Sequence, residues 1–328
     1  VNEPAALLYC AGGGIGDSLL ATVVAQALRK RFSRVDALTL PAHRATLERC
    51  PDLDAVLIDD GGSERTLARR LAERAYAACV VTWATPRAAR VAQDAKIPVR
   101  VGQARRLYSS RFTHGVTVRS ELGDVTSHWS DILLDYARVL GCDAPGAQPH
   151  FIPTAHDVQQ AARSFGEPAF IIMHPTNAEA TKRGIWPTAG WSALARTLGR
   201  RFDLPIVITG SSADVPIVEA IAREADVVSL AGALDIGGFG ALAARARAFV
   251  GITTGTMHVA AAVGCPTVGI FPFQSDFPDR WAPLGVKTAV VRASYPCHWG
   301  DTKETCADFA CIANLDASRI LATMFTIV

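Results

Sequence analysis

The chain has no apolar run approaching the roughly 18 residues that cross a bilayer, and its opening VNEPAALLYC lacks the basic-then-apolar layout of a signal peptide. The expectation is a cytoplasmic protein. Aromatic residues are sparse at 7%, and charged residues reach only 20% against 49% hydrophobic ones. That balance excludes a disordered chain and fits a soluble globular α/β protein. Low-complexity segments are missing, as is any short-period repeat. A net charge of +2 and the lack of a recognisable binding module argue against nucleic acid as a partner.

Standard zinc-finger spacing is also missing. Eight cysteines stand at 10, 50, 79, 142, 265, 297, 306 and 311. Eight residues separate Cys297 from Cys306 and four separate Cys306 from Cys311, so a packed, reduced cluster is favoured over a metal site. Cys10, Cys79 and Cys265 lie in or beside apolar runs and read as small buried hydrophobes.

At 328 residues the chain suits two domains of roughly 150 residues each. Apolar strand candidates at Ala5–Cys10, Val35–Leu40, Ala55–Ile58 and Ala78–Thr82 alternate with helical patterns at Leu19–Phe32, Leu67–Ala75 and Trp129–Leu140. A Gly- and Pro-rich stretch, GCDAPGAQPHFIP at 141–153, interrupts the alternation and reads as a linker. Alternation restarts with strand Phe170–His174, helix Ala189–Arg201, strand Pro205–Thr209, helix Val215–Ala225, a short helix Leu242–Arg247 and strand Ala248–Ile252. The expected fold is α/β: two doubly wound Rossmann-like domains, 1–145 and 151–328, facing a ligand cleft. The final helix, Ala317–Phe325, is expected to pack back on the first domain.

Three patches carry candidate chemistry. The first, GGGIGD at 12–17, is a glycine-rich turn (Gly13, Gly14, Gly16) before a helix. Its spacing does not make G-x-G-x-x-G, because the third glycine would fall on Asp17 or on Leu19. A dehydrogenase is therefore disfavoured. Asp17 reads either as a helix-capping acid or as a carboxylate placed to take a proton from a hydroxyl. The second patch, FIIMHPTNAEATKRGIWP at 170–187, ends a strand in hydroxyls and cations. Thr181 and Lys182 could clamp a diphosphate, with Lys182 as a solvated loop residue the plain alternative. The third, ITTGTMHVAAAVGCPTVGIF at 252–271, runs a strand into Thr253, Thr254 and Gly255 at a helix start, where free N–H groups and the helix dipole suit a phosphate. An ordinary unit capped by Thr254 has the same spacing. His258 on the first helical turn reads equally as a packed histidine or a site residue.

Taken together, these patches resemble glycosyltransferase family 9, the heptosyltransferase family of lipopolysaccharide synthesis. The resemblance implies the glycosyltransferase B architecture, with acceptor on the first domain and nucleotide-sugar on the second. It implies inverting transfer, with Asp17 as the base, and Lys182, Thr254 and Gly255 on the donor diphosphate, without metal or cofactor. It places Ser211, Ser212 and Asp214, beyond the Pro205–Thr209 strand, near the nucleoside. The donor would be ADP-heptose and the acceptor an anionic glycolipid or glycan of the lipopolysaccharide core, met at the inner face of the cytoplasmic membrane. The chain departs from the family pattern at Thr176-Asn177 in place of Gly-Ala, at an inserted Gly184-Ile185, and at Thr253 in place of an aspartate beside the donor sugar. A different sugar or acceptor, or a non-catalytic sugar-nucleotide-binding protein, are the alternatives; retention of Asp17 argues against the last.

Charge is uneven. From 87 to 119 run Arg87, Arg90, Lys96, Arg100, Arg105, Arg106, Arg111 and Arg119 against one acid, Asp94. The expectation is an acceptor-binding stripe, with Arg105 and Arg106 foremost and Arg100 and Arg111 next.

Overall fold

A computed structural model describes residues 4–176, 186–273, 277–293, 306 and 309–328. Thr181, Lys182 and Cys297 lie outside the described residues. The chain divides into two units, Val1–Ile152 and Pro153–Val328.

The first unit is a six-stranded parallel sheet. Its strands are β1 (Ala5–Tyr9), β2 (Arg34–Thr39), β3 (Ala55–Ile58), β4 (Ala78–Val81), β5 (Val99–Gln103) and β6 (His114–Val116), in the order β3-β2-β1-β4-β5-β6. Every residue of β1 and of β4 is buried, as near-continuous apolar runs in a sheet covered on both faces require. Leu7, Tyr9 and Val81 pack with Leu67 and Leu71 of the Glu64–Ala72 helix and with Ala88, Val91 and Ala92 of the Pro86–Asp94 helix. The order reverses between β1 and β4, which makes the C-terminal ends of those two strands the switch point.

The second unit repeats the plan. It holds β7 (Ile171–His174), β8 (Ile206–Ile208), β9 (Val228–Ser229), β10 (Ala248–Ile252), β11 (Thr267–Phe271) and β12 (Thr288–Arg292), in the parallel order β12-β11-β10-β7-β8-β9. Its switch point lies between β7 and β10. Trp191, Leu194 and Leu198 of the Thr188–Phe202 helix pack on Ile171, Met173 and Val250. Ile320, Met324 and Ile327 of the Ala317–Ile327 helix are buried in this same core.

One local reading is corrected. The helix expected at Leu242–Arg247 is Ile236–Arg245. Glycines 237, 238 and 240 obscured its start, but Asp235 caps it by accepting from the Gly238 N–H at 2.8 Å. A side chain at Gly238 would collide with Gln160, and the glycine lets the Ala155–Ser164 helix pack closely. The 141–153 stretch read as a linker holds the division between the units and is fastened to the first: the Ile152 N–H donates to Arg49 O at 2.8 Å, Gln26 to Gln148 O at 2.7 Å, and Phe151 is buried.

Candidate active site

Around the first switch point, β1 ends in Tyr9 and the chain turns through the three glycines into the Ile15–Leu20 helix. Gly14 is the N-cap and Asp17 the third helical residue, with the Gly14 N–H donating to Asp17 Oδ2 at 2.8 Å. Gly13 has φ +67°, and a Cβ there would lie 2.5 Å from Asp17 Oδ2. The turn is therefore glycine because it wraps around its own carboxylate. Burial pushes the Asp17 carboxyl above the usual carboxylate range, with the Gly14 N–H and His43 pulling the other way. Capping and base readings thus coexist: one hydrogen bond orients the carboxylate while desolvation raises its basicity.

Sequence reasoning missed two neighbours. His43, just beyond β2, is buried, and its Nδ1 lies 2.8 Å from Ser18 Oγ. Burial lowers its pKa while Asp17 raises it. A histidine following a strand end was the available signal. Trp83, just beyond β4, lies against Gly12, whose Cβ would fall within the indole ring. Trp83 is left 41% exposed.

The second switch point gathers the loops after β7 and β10. His174, at the end of β7, is buried with Nδ1 2.9 Å from Thr209 Oγ1, and burial drives its pKa down to about 4, so the imidazole is neutral at pH 7. Thr176 is fully buried, and its hydroxyl has no partner among the described residues. Beyond β10, Thr254 is the N-cap of the Gly255–Ala262 helix, yet its side chain makes no capping hydrogen bond. The Thr256 hydroxyl is buried without a described partner, and His258 is buried. The first N–H groups of that helix are left for a phosphate or water rather than a side-chain cap. Thr253 donates its N–H to Ile270 O at 2.8 Å. After β8, the Ser211 N–H and Oγ both bond Asp214 Oδ2, at 2.8 and 2.6 Å, and Asp214 is buried. Asp214 thus braces its own loop, while Ser212 is exposed.

The arginine stripe is largely paired. Arg87 forks onto Asp59 with a shortest contact of 2.6 Å, and Arg90 forks onto Glu64 at 2.7 Å. Arg106 pairs with Glu121, and Arg119 bonds Asp131 and Asp135 at 2.7 Å. Arg100 donates to the carbonyls of Ile97 and Arg111, and Arg111 donates to Gln93. Arg105 is exposed, with φ +63°. The local count of acids misled because the partner carboxylates come from other segments.

Two Rossmann-like units with polar loops at their switch points match the architecture of the B-fold glycosyltransferases. The model of glycosyltransferase family 9 (heptosyltransferase) matches residues 64–308, and the chain belongs to that family. Escherichia coli ADP-heptose lipopolysaccharide heptosyltransferase II aligns over 98% of this chain and 98% of its own, at 20% identity and a TM-score of 0.78. A family 9 glycosyltransferase from Veillonella parvula aligns over 99% and 97%, at 16% identity and a TM-score of 0.82. E. coli heptosyltransferase WaaC with ADP aligns over 98% and 100%, at 15% identity and a TM-score of 0.74. These likenesses carry the fold across the Asp17 turn, which precedes the family match. No curated protein sequence matches significantly. Among the described residues, no helix is long and apolar enough to cross a membrane, and no cluster of three or more His, Cys, Asp or Glu could hold a metal.

Proposed function

We propose that this family 9 glycosyltransferase moves a sugar, heptose by default, from a nucleotide-diphosphate donor to a saccharide of the lipopolysaccharide core or a related anionic glycan, with inversion. The half-buried Asp17 carboxylate, oriented by Gly14 at the end of β1, carries the reading. Asp17 removes the proton from the acceptor hydroxyl as its oxygen attacks the anomeric carbon. The bond to the diphosphate breaks on the opposite face.

The diphosphate gains charge as it leaves. Thr181, Lys182, the Thr254 hydroxyl and the N–H groups around Gly255 stabilise that charge, with no divalent cation called on. His258 supports the helix start, and Ser211 and Ser212 lie by the nucleoside. Arg105 is the foremost acceptor contact of the stripe, because Arg100, Arg106 and Arg111 already have partners. A different donor sugar is the second reading, favoured by Thr253 in place of the family aspartate. ADP-heptose is the default donor because one of the similar structures is an E. coli ADP-heptose heptosyltransferase and another, heptosyltransferase WaaC, is with ADP.

The test is thermal stabilisation against ADP-, UDP-, GDP- and CMP-sugars, followed by turnover with and without EDTA. A donor that binds only the folded state raises the melting temperature. ADP-heptose is expected to do so, with activity surviving EDTA. Failure of every nucleotide-sugar, or a strict requirement for Mg²⁺ or Mn²⁺, would overturn the reading.

A further inference from the structure

The geometry points to Trp83 as the platform on which one sugar ring of the acceptor stacks, which makes it a specificity-determining residue for the transfer. The inference rests on the acceptor reading above, since it takes the first unit to receive the saccharide.

Gly12 and Gly13 are consecutive, and each makes room for one side chain. A Cβ at Gly12 would enter the Trp83 indole, and a Cβ at Gly13 would meet the Asp17 carboxylate. Consecutive Cα atoms are about 3.8 Å apart, so an aromatic face and a basic carboxylate are lodged against adjacent backbone positions. Both stand at the switch point between β1 and β4, where open α/β sheets bind ligands.

Trp83 is also held in place. The Thr82 N–H donates to Tyr9 O at 3.1 Å, and the Tyr108 hydroxyl donates to Ala84 O at 2.7 Å. Thr85 then caps the Pro86–Asp94 helix by accepting from the Ala88 N–H at 3.1 Å. One side of the indole rests on the Gly12 backbone, yet the residue remains 41% exposed. A rigid aromatic surface left partly in water gains from burial and loses little conformational entropy on binding. The C–H bonds along one face of a pyranose ring suit it: they are weakly positive, the indole face is negative, and the ring hydroxyls point sideways to polar groups. Asp17 beside it would then meet a hydroxyl of the stacked ring or of its neighbour.

The experiment uses full-length wild type, Trp83→Ala and Trp83→Phe, with de-acylated lipopolysaccharide core oligosaccharide as the saccharide and ADP-heptose as the donor. Melting temperatures check that each variant is folded. Saccharide binding is followed by calorimetry and by quenching of tryptophan fluorescence, and donor binding is measured separately. The expected result is a roughly tenfold weaker saccharide affinity and higher acceptor KM for Trp83→Ala, with donor affinity unchanged. Trp83→Phe should keep most of the affinity but lose much of the quench. Unchanged saccharide affinity in a folded Trp83→Ala protein, or an undiminished quench in Trp83→Phe, would overturn the role of Trp83 and leave the acceptor reading standing. A wild type that binds no core oligosaccharide would overturn both. Binding without turnover of ADP-heptose would overturn the donor assignment alone.

Discussion

Ser18 Oγ and His43 Nδ1 lie 2.8 Å apart, which fastens the helix carrying Asp17 to the chain leaving β2. Both side chains are buried, so the contact is shielded from water and resists local fraying. His43 also favours the ionised form of Asp17, against the desolvation that raises its pKa.

A pH dependence follows with a definite sign. Asp17 must be ionised to accept a proton, and burial holds its carboxyl above the usual range. Activity should therefore fall on the acid side at a pH higher than an ordinary carboxylate would give. His43→Ala removes a group that lowers the Asp17 pKa, so the acid limb should move to still higher pH. The check is kcat/KM against pH for both proteins; a limb that stays in place or moves down would disconnect His43 from Asp17.

The two neighbouring glycines should respond differently. Gly13→Ala forces a left-handed residue, costing about 1–2 kcal/mol, and drives a Cβ into the Asp17 carboxylate. Turnover should drop by roughly 10²-fold or more, because a small misplacement of a reacting group is expensive. Gly14 has φ −102°, and its Cβ would lie 3.7 Å from Asp17 Oδ2, so Gly14→Ala should be mild. Melting temperature and kcat for the pair separate strain from loss of the base.

Arg87 is a brace. It forks onto Asp59, which is buried and also accepts from the Tyr9 hydroxyl at 2.5 Å. Burial pushes the Asp59 carboxyl up, but Arg87, Tyr9 and the Gly61 N–H outweigh it and hold the pKa below the usual value. A depressed carboxylate contributes its full stability above the unfolded value of about 3.9 and loses it as pH falls through the folded one. Arg87→Ala should therefore cost about 2–3 kcal/mol at pH 7, since it strands the buried Asp59 charge, a loss moderated because the Arg87 side chain is itself a quarter exposed. The deficit should shrink below pH 4. Denaturant melts at pH 7 and pH 3.5 check both statements.

The sequence made the alternating units legible because buried parallel strands are continuous apolar runs, as in β1, β4, β10 and β11. It hid β5, where Arg100 interrupts the run, and the outer strands β6 and β9, of three and two residues. Short outer strands carry little pattern to read. At the site, the Asp17 turn and the Thr254 helix start were legible from local spacing. Trp83 against Gly12, His43 against Ser18, and Asp59 against Arg87 were not, because each joins segments that only the sheet order brings together. The partners of the basic stripe were hidden for the same reason: Glu64, Glu121, Asp131 and Asp135 lie outside it and pair with Arg90, Arg106 and Arg119 in space.

The central claim is that Asp17 is the base, and Asp17→Asn tests it most directly. The asparagine carbonyl can still accept the Gly14 N–H, so the turn should stay folded. Turnover with ADP-heptose and core oligosaccharide should fall by roughly 10² to 10⁴, the range for losing a general base, while donor affinity by calorimetry stays at the wild-type value. Full activity in Asp17→Asn, or a parallel loss of donor binding, would contradict the account.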